Sequence, residues 1–414
     1  MTSLKPVRGT HDLMGEDARR HRQVVDVFRD LAGRYGFSEL ATPIFEFTEV
    51  FQRTLGETSD VVQKEMYTFE DRGGEQVTLR PEFTAGIARA FISGGLAQSV
   101  PCKFFSHGPV FRYERPQKGR LRQFHQVNLE VLGVPEPQAD VEVITLAASL
   151  LADLGIAENT TLELNTLGDS ESRAAYRNVL IDYFTAHKDS LSDDSKARLE
   201  RNPLRILDSK DDGDRKLVES APRMAEYLNA TSAEFFTSVR EGLDRVGVDY
   251  TVNDRLVRGL DYYTHTAFEF TTTALGAQGA VIAGGRYDGL IEQMGGKATP
   301  GIGWAGGIER LGMLLEEVPP APRPLVVIPI GADAQMPSLS LAQELRTAGF
   351  RVDMGYRGNV GKRMKRANKI DARAALILGD DEIEQGVVKV RDLDSGEEIA
   401  VSLSDVAAHL AKYR

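Results

Sequence analysis

The stretch Val318-Pro319-Pro320-Ala321-Pro322-Arg323-Pro324 constrains this chain more than any other. Each proline fixes φ and removes a backbone donor, so neither a helix nor a central strand can run through it. Such a run is a stiff, extended linker. The chain must therefore fold as separate units on its two sides. Beyond the linker the pattern alternates. It predicts strands over Leu325 to Ile330, Arg351 to Met354 and Ala374 to Leu378, and a further strand over Val387 to Val390. Helices are predicted over Ser338 to Ala348, Val360 to Ile370 and Ser404 to Tyr413. That is a small α/β domain, 325–414, with a partly parallel sheet.

The larger unit, 1–320, begins with an amphipathic helix over residues 16–35, where Val24, Phe28, Leu31 and Tyr35 recur at helical spacing and Gly36 takes the C′ place. Glu39 to Phe45 reads as extended, with Pro43 confining it to an edge or a bulge. Tyr67 to Phe69 and Gln76 to Leu79 flank a Gly-Gly turn as a hairpin, and a helix is predicted from Phe83 to Ile92. A second hairpin pairs Lys103–Tyr113 with Phe124–Leu132 across a basic loop. From about 170 to 250 the sequence is charged, helical and poor in aromatics, which marks an inserted helical module. A strand is predicted from Tyr250 through Arg258 to Thr271. Gly284 to Gly289 reads as a turn, and Gly301 to Gly307 as a glycine-rich approach to a helix beginning near Ile308.

Composition narrows the function. Hydrophobic residues make up 42% of the 414 and charged ones 27%, so the chain is globular and not disordered. The formal net charge of −11 argues against a general nucleic-acid coat protein but leaves a specific nucleic-acid partner open. The N-terminus has no apolar signal region, and no apolar run is long enough to span a bilayer. Cys102 is the one cysteine, which excludes an intramolecular disulfide and disfavours a thiolate zinc site. A reducing compartment, the cytoplasm, is the expectation. No Gly-Lys-Ser/Thr phosphate loop, dinucleotide fingerprint, His-Glu-x-x-His helix or Gly-x-Ser-x-Gly elbow is present, so no metal site is expected.

The candidate chemistry lies in two segments. In Gln126-Val127-Asn128-Leu129-Glu130-Val131, period two puts Gln126, Asn128 and Glu130 on one face and the apolar residues on the other. The polar face is either solvated or the floor of a pocket. Beside it, Arg112, Arg115, Lys118, Arg120 and Arg122 cluster around a turn, and arginine's planar fork suits phosphate. His125 has the wrong strand parity to join Gln126 and Glu130, and is read as structural. In Leu256 to Tyr263, an arginine in apolar surroundings needs a partner. Arg258 either pairs internally with Asp261 or Glu269, or binds an incoming carboxylate or phosphate. Tyr262 and Tyr263 would present one ring to each face of the strand.

Taken in order, these pieces resemble a class II aminoacyl-tRNA synthetase, and specifically the histidyl-tRNA synthetase family. The residues that carry the resemblance are Arg8-Gly9-Thr10-His11-Asp12, Ala41-Thr42-Pro43, Thr78 to Glu82, Phe111 to Glu114 with Arg122 to Gln126, Arg258 to Tyr263, Gly284 to Asp288, and Gly303 to Arg310. They span essentially the whole chain. The resemblance implies an α+β catalytic domain, with a six-stranded antiparallel sheet and a helical insertion, followed by an α/β anticodon-binding domain. It implies activation of L-histidine by ATP, with Mg²⁺, to histidyl-adenylate and pyrophosphate. Transfer of histidine to the 3′ end of tRNA(His) follows. A homodimer is implied as well.

The resemblance also assigns residues. Glu82, Thr84 and Gln126 look like the holders of the substrate α-amino group, and Glu130 and Tyr263, with Tyr262 beside them, like the readers of the imidazole. Arg112 resembles the arginine that grips the α-phosphate, Arg310 the one near the γ-phosphate, and Arg120 a further ATP contact. Arg258 resembles the arginine that bridges substrate carboxylate and α-phosphate. The carboxylate is already a nucleophile, so alignment and charge stabilisation are what this chemistry needs. The basic run Arg351, Arg357, Lys362, Arg363, Lys365, Arg366, Lys369 and Arg373 fits an anticodon contact. Two residues depart from the pattern. Phe83 stands where a smaller residue is common, which bears on pocket shape, and His265 falls two residues past Tyr263 and is expected on the same side. The alternative is a non-aminoacylating paralogue, a regulatory subunit of ATP phosphoribosyltransferase. It would lack the last domain and have degraded motif arginines. A general RNA-binding module is opposed by the net acidity and by the intact pocket residues.

Overall fold

A computed structural model describes residues 4–55, 61–258, 262–276 and 279–413. The chain divides into two compact units at Pro319/Pro320, inside the proline run.

In chain order the strands of the first unit are β1 (Ser38–Glu39), β2 (Phe45–Phe47), β3 (Tyr67–Glu70), β4 (Gln76–Leu79), β5 (Cys102–Phe111), β6 (Gln123–Leu132), β7 (Thr161–Thr166), β8 (Thr251–Val252), β9 (Thr264–Thr271), β10 (Ala280–Arg286) and β11 (Gly301–Gly307). Six of them, in the order β5-β6-β11-β10-β9-β7, form a continuous antiparallel sheet. The two-residue strands β1 and β8 extend it at its edges by parallel pairing. A separate three-stranded sheet has the order β2-β4-β3.

The parity predicted for β6 is what the packing shows. Val127, Leu129 and Val131 are buried in the main core with the helices Gly15–Arg34 and Gln138–Asp153. Gln126, Asn128 and Glu130 are buried on the opposite face, so that face is not solvated. Burying three polar side chains requires partners for them, and that face carries the candidate site.

Between Ser170 and Val246 the chain is helical. Tyr176, Leu180, Phe184, Leu199, Leu204 and Met224 form a core of their own there. The last helix, Ala230–Val246, instead contributes Val239 and Leu243 to the core of the large sheet.

Three sequence expectations are corrected. Arg258 is not in a strand: after β8 the chain turns, and Arg258 sits in irregular structure ahead of β9. Tyr262 and Tyr263 lie in the same approach, so alternation does not apply to them, and their rings sit side by side with centroids 4.5 Å apart. The glycine-rich Gly284-Gly285 and Gly301 to Gly307 are strand and not loop. Their missing side chains make room for neighbours. A Cβ on Gly303 would overlap the Glu130 carboxylate, and one on Gly285 would lie 2.8 Å from the Tyr263 ring.

The second unit has strands β12 (Leu325–Pro329), β13 (Val352–Met354), β14 (Ala374–Leu378), β15 (Val387–Asp392) and β16 (Glu398–Ser402), in the order β13-β12-β14-β15-β16. The first three are mutually parallel and the last two antiparallel. The helices Gln335–Thr347 and Val360–Lys369 pack on opposite faces, through Leu341 and Leu345 on one and Ala367 on the other. On the second helix Lys362, Lys365 and Lys369 are exposed, Arg366 pairs with Asp353 at 2.9 Å, and Arg363 donates to the Pro329 carbonyl.

Candidate active site

A cavity of about 270 Å³ opens on the polar face of the large sheet. Nine of the sequence-predicted residues line it: Glu82, Thr84, Arg112, Arg120, Gln126, Arg258, Tyr262, Tyr263 and Arg310. Glu130 is the exception. It is fully buried, and the cavity wall in front of it includes Gly303 and Tyr287.

The cavity lining includes acceptors. Glu82 precedes the helix Thr84–Ser93 and accepts the backbone N–H groups of Thr84 (2.5 Å) and Ala85 (2.9 Å). Its carboxylate thus satisfies donors that any helix start leaves unpaired. Burial raises its pKa, against the pull of those two bonds. The Gln126 side-chain oxygen is buried and accepts no hydrogen bond from the described residues. Two acceptors at one wall suit a cationic amine.

Below them Glu130 is held by three donors. Oε1 accepts from the Thr84 hydroxyl at 2.6 Å and from Asn128 Nδ2 at 3.1 Å, and Oε2 accepts from the Tyr287 hydroxyl. A carboxylate has about four acceptor positions. Among the described residues three are used, and the remaining one belongs to Oε2, against which Gly303 places no side chain. Burial pushes the Glu130 pKa up to about 7, opposed by its hydrogen bonds to Thr84, Tyr287 and Asn128. Burial also raises the Tyr262 and Tyr263 hydroxyls, so both remain protonated donors.

The same cavity collects four arginines, each held in place. Arg112 donates from Nε to the Pro81 carbonyl at 3.0 Å, with its guanidinium 5.5 Å from the Phe124 ring centroid. Arg310 donates to the carbonyls of Gly119 (3.0 Å) and Ala280 (2.7 Å). Its pKa is lowered by burial and by the neighbouring Arg120 and Arg112. Arg120 forms an ion pair with Glu114 at 2.5 Å. Arg258 pairs with Glu269 on β9, as one of its two internal alternatives anticipates; Asp261, the other, lies outside the described residues. Four guanidinium groups thus surround one small cavity. They are the arrangement expected around a polyphosphate.

Both departures from the family pattern turn away from the cavity. Phe83 is buried under the Arg80 guanidinium, 4.2 Å from it, and does not line the site. His265 does not share the side of Tyr263. It has a positive φ of 46°, and its ring stacks on Phe235 of the helix Ala230–Val246 at 4.6 Å. His125 is structural, as its parity predicts: its backbone N–H and Nδ1 both engage Glu309, at 2.9 and 2.8 Å.

Three further residues support the site. Tyr287 reaches Glu130 across 157 positions of the chain. Glu269 is one of the two partners the sequence offers for Arg258, and the structure pairs them. Arg286, completely buried, forms an ion pair with the equally buried Asp140 and donates to the Val134 carbonyl at 3.0 Å. It braces β10, and with it Tyr287, against the helix Gln138–Asp153.

Comparison with known proteins follows the same lines. The sequence model described as histidyl-tRNA synthetase matches residues 9–311, and that of the anticodon binding domain matches 325–413. A histidine–tRNA ligase of Rhodospirillum rubrum is 61% identical over 414 residues, covering all of both chains. One from Gluconacetobacter diazotrophicus is 58% identical, covering 99% of each. Among solved structures, apo S. aureus histidyl-tRNA synthetase superposes with a TM-score of 0.82 at 32% identity, covering 98% of this chain and 99% of that one. A Bacillus halodurans structure described as an ATP phosphoribosyltransferase regulatory subunit/histidyl-tRNA synthetase has a TM-score of 0.65 at 21% identity, covering 92% of this chain and 99% of that one, and shares the fold.

Proposed function

We propose a division of labour among these side chains on one premise: the chain belongs to the histidyl-tRNA synthetase family. It is a class II aminoacyl-tRNA synthetase that uses ATP to join histidine to tRNA. The regulatory-subunit alternative is disfavoured, because full-length relatives are histidine–tRNA ligases and an anticodon-binding domain follows the linker. One observation carries the assignment of roles. A single cavity is lined by the amine acceptors Glu82 and Gln126 and by four arginines.

The histidine α-ammonium group sits between Glu82 and the Gln126 side-chain oxygen, which has no donor among the described residues. The imidazole reaches the open position on Glu130 Oε2 across Gly303, while Tyr263 serves the second ring nitrogen. This orientation turns the substrate carboxylate toward Arg258. ATP enters as its magnesium complex, with the α-phosphate at Arg112 and the outer phosphates toward Arg120 and Arg310. The carboxylate oxygen attacks the α-phosphorus, the bond to the bridging oxygen breaks, and pyrophosphate leaves. No base is required for that step. Two anions must be brought together and the charge growing on phosphorus must be met by donors already in place. The tRNA 3′ hydroxyl then takes the histidyl group from the adenylate.

Pyrophosphate exchange measured with each standard amino acid in turn tests this reading. Exchange should depend on histidine and be negligible with the others, since a site built to hydrogen-bond a side chain rejects analogues lacking it by about 10⁴. Exchange driven by another amino acid would sink the assignment. As a second arm, replacing Lys362, Lys365 and Lys369 together by alanine should leave exchange intact and raise KM for tRNA about 10-fold at moderate salt. Unchanged tRNA affinity would remove this helix from the anticodon contact.

We assign a second copy of the chain to the exposed apolar patch of Ile44, Phe45, Phe47 and Phe69, four large side chains about half exposed on and beside the small sheet. Contiguous apolar surface of this kind marks an interface. Sedimentation equilibrium should return a dimer at micromolar concentration, and a Phe45→Glu, Phe47→Glu variant a monomer. A monomeric wild type would remove the assignment. No helix among the described residues is long and apolar enough to cross a membrane, and we infer a cytoplasmic enzyme. Fractionation that places the chain with membranes would contradict that.

A further inference from the structure

The Arg258–Glu269 pair has a consequence beyond its contribution to the fold. Arg258 comes from irregular backbone after β8, tied down through Leu256, whose carbonyl accepts from Asn165 Nδ2 at 2.9 Å. Glu269 stands on β9, which is paired on both sides, by β7 and β10. The pair therefore couples an irregular segment to a strand paired on both sides. Both side chains line the cavity. Only one guanidinium nitrogen, Nη1, is bonded to Glu269, while the buried Nε–H has no acceptor among the described residues. Because the guanidinium is planar, anchoring one end fixes where the other donors point.

A carboxylate in this place opposes the binding of ATP and of the histidine carboxylate, since like charges repel. Glu163 lies directly across the β7–β9 pairing from Glu269 and adds to that field. Asn253 (2.5 Å) and Thr271 (3.2 Å) bond Glu163, so it is not what holds Arg258. A neutral partner would satisfy the arginine without the repulsion. The charge at 269 makes sense where orientation of the arginine counts for more than ground-state binding.

We propose that Glu269 is a positioning residue for adenylate formation: it grips Arg258 from the sheet side and presents the remaining donors to the reacting carboxylate and α-phosphate. This deepens the histidine-activation reading and rests on it. Glu269 does not touch the reacting atoms itself and acts through Arg258.

A double-mutant cycle on the full-length enzyme tests it, with pyrophosphate exchange and thermal midpoints measured for each protein. Glu269→Gln keeps the shape and removes the charge. Its kcat should fall about 30-fold, with KM for histidine and ATP within about 3-fold of wild type. In an Arg258→Ala background the same change should cost less than about 3-fold, since the residue it orients is gone. Glu269→Asp, one methylene shorter, should recover part of the loss, and it replaces the glutamine variant in the cycle if that protein does not fold. A glutamine variant as fast as wild type overturns the inference, and so does an equal loss in both backgrounds. Failure of the underlying reading would show separately, as absence of histidine-dependent exchange in the wild type.

Discussion

Arg258→Ala should lower kcat for histidine-dependent pyrophosphate exchange about 1,000-fold and raise KM for histidine less than about 10-fold. The asymmetry follows from the site. In the proposed arrangement histidine is held by its amine at Glu82 and Gln126 and by its ring at Glu130 and Tyr263. Tyr263 adjoins Arg258, whose guanidinium lies 5.4 Å from its ring centroid, so removing the arginine leaves the contacts at Glu82, Gln126 and Glu130 in place. What disappears is a cation placed between two anions that must approach each other, in a cavity that excludes much of the water that would otherwise screen them. Removing a single donor aimed at developing charge typically costs on the order of 10²–10³ in rate. Arg258→Lys should recover little, because an ammonium group cannot bond Glu269 and an incoming oxygen in the same planar geometry. The alanine variant should also remain folded. The Glu269 carboxyl already has its pKa raised by burial, opposed by Arg258, so loss of the arginine allows it to take a proton and shed the unpaired charge. Steady-state exchange together with the size of the adenylate burst measures both terms. Equal losses in kcat and in histidine affinity would reduce Arg258 to a binding residue. No loss at all would make its ion pair purely structural.

The sequence is most legible where periodicity is pure. The alternation from Gln126 to Val131 puts each side chain on the correct face, because a paired strand in the middle of a sheet has no freedom to do otherwise. The prolines 319–324 mark where the chain divides, because they exclude regular structure on their own. It is least legible where glycine stands in a strand. Gly301 to Gly307 reads as a loop by propensity, and becomes a strand because its neighbours need the space its side chains would fill. Glu130 is the neighbour at Gly303 and the Tyr263 ring the one at Gly285, and neither is visible until the sheet order is known. The partners of buried charge are hidden for the same reason. Arg286 finds Asp140 across 146 positions, and Glu130 finds Tyr287 across 157. Nothing local marks either pair. A family resemblance supplies the roles of the cavity residues but not the two glutamates, 114 and 269, that face its arginines before any ligand arrives.

Glu130→Gln should separate recognition from stability, with opposite signs. In the free enzyme the Glu130 carboxyl has a pKa of about 7, against 4.5 when exposed, because burial penalises its charged form. The folded state therefore binds a proton that the unfolded state has released throughout that window. This stabilisation of the protonated form is complete at about pH 4.5 and is lost as pH rises to 7. By pH 8 the wild type has lost about 3 kcal/mol relative to a protein with a neutral group at 130. Glutamine is that neutral group, and it fits the same donors. Its oxygen can accept from Thr84 and Asn128, and its amide can donate to the Tyr287 oxygen. Glu82, which is also raised by burial, repels the Glu130 charge, so the variant relieves that repulsion and adds to the same difference at pH 8. The variant should thus melt several degrees above wild type at pH 8 and close to it at pH 5. Histidine activation should move the other way, with kcat/KM falling about 1,000-fold at pH 8, since the imidazole N–H meets an amide donor in place of an ionised acceptor. Thermal midpoints at the two pH values and exchange kinetics at the higher one decide the matter. A stability difference that does not change with pH would mean that Glu130 is ionised in the folded enzyme throughout the range. The carboxylate would then have a donor that compensates its burial, and the open position on Oε2 would not be the seat of the imidazole.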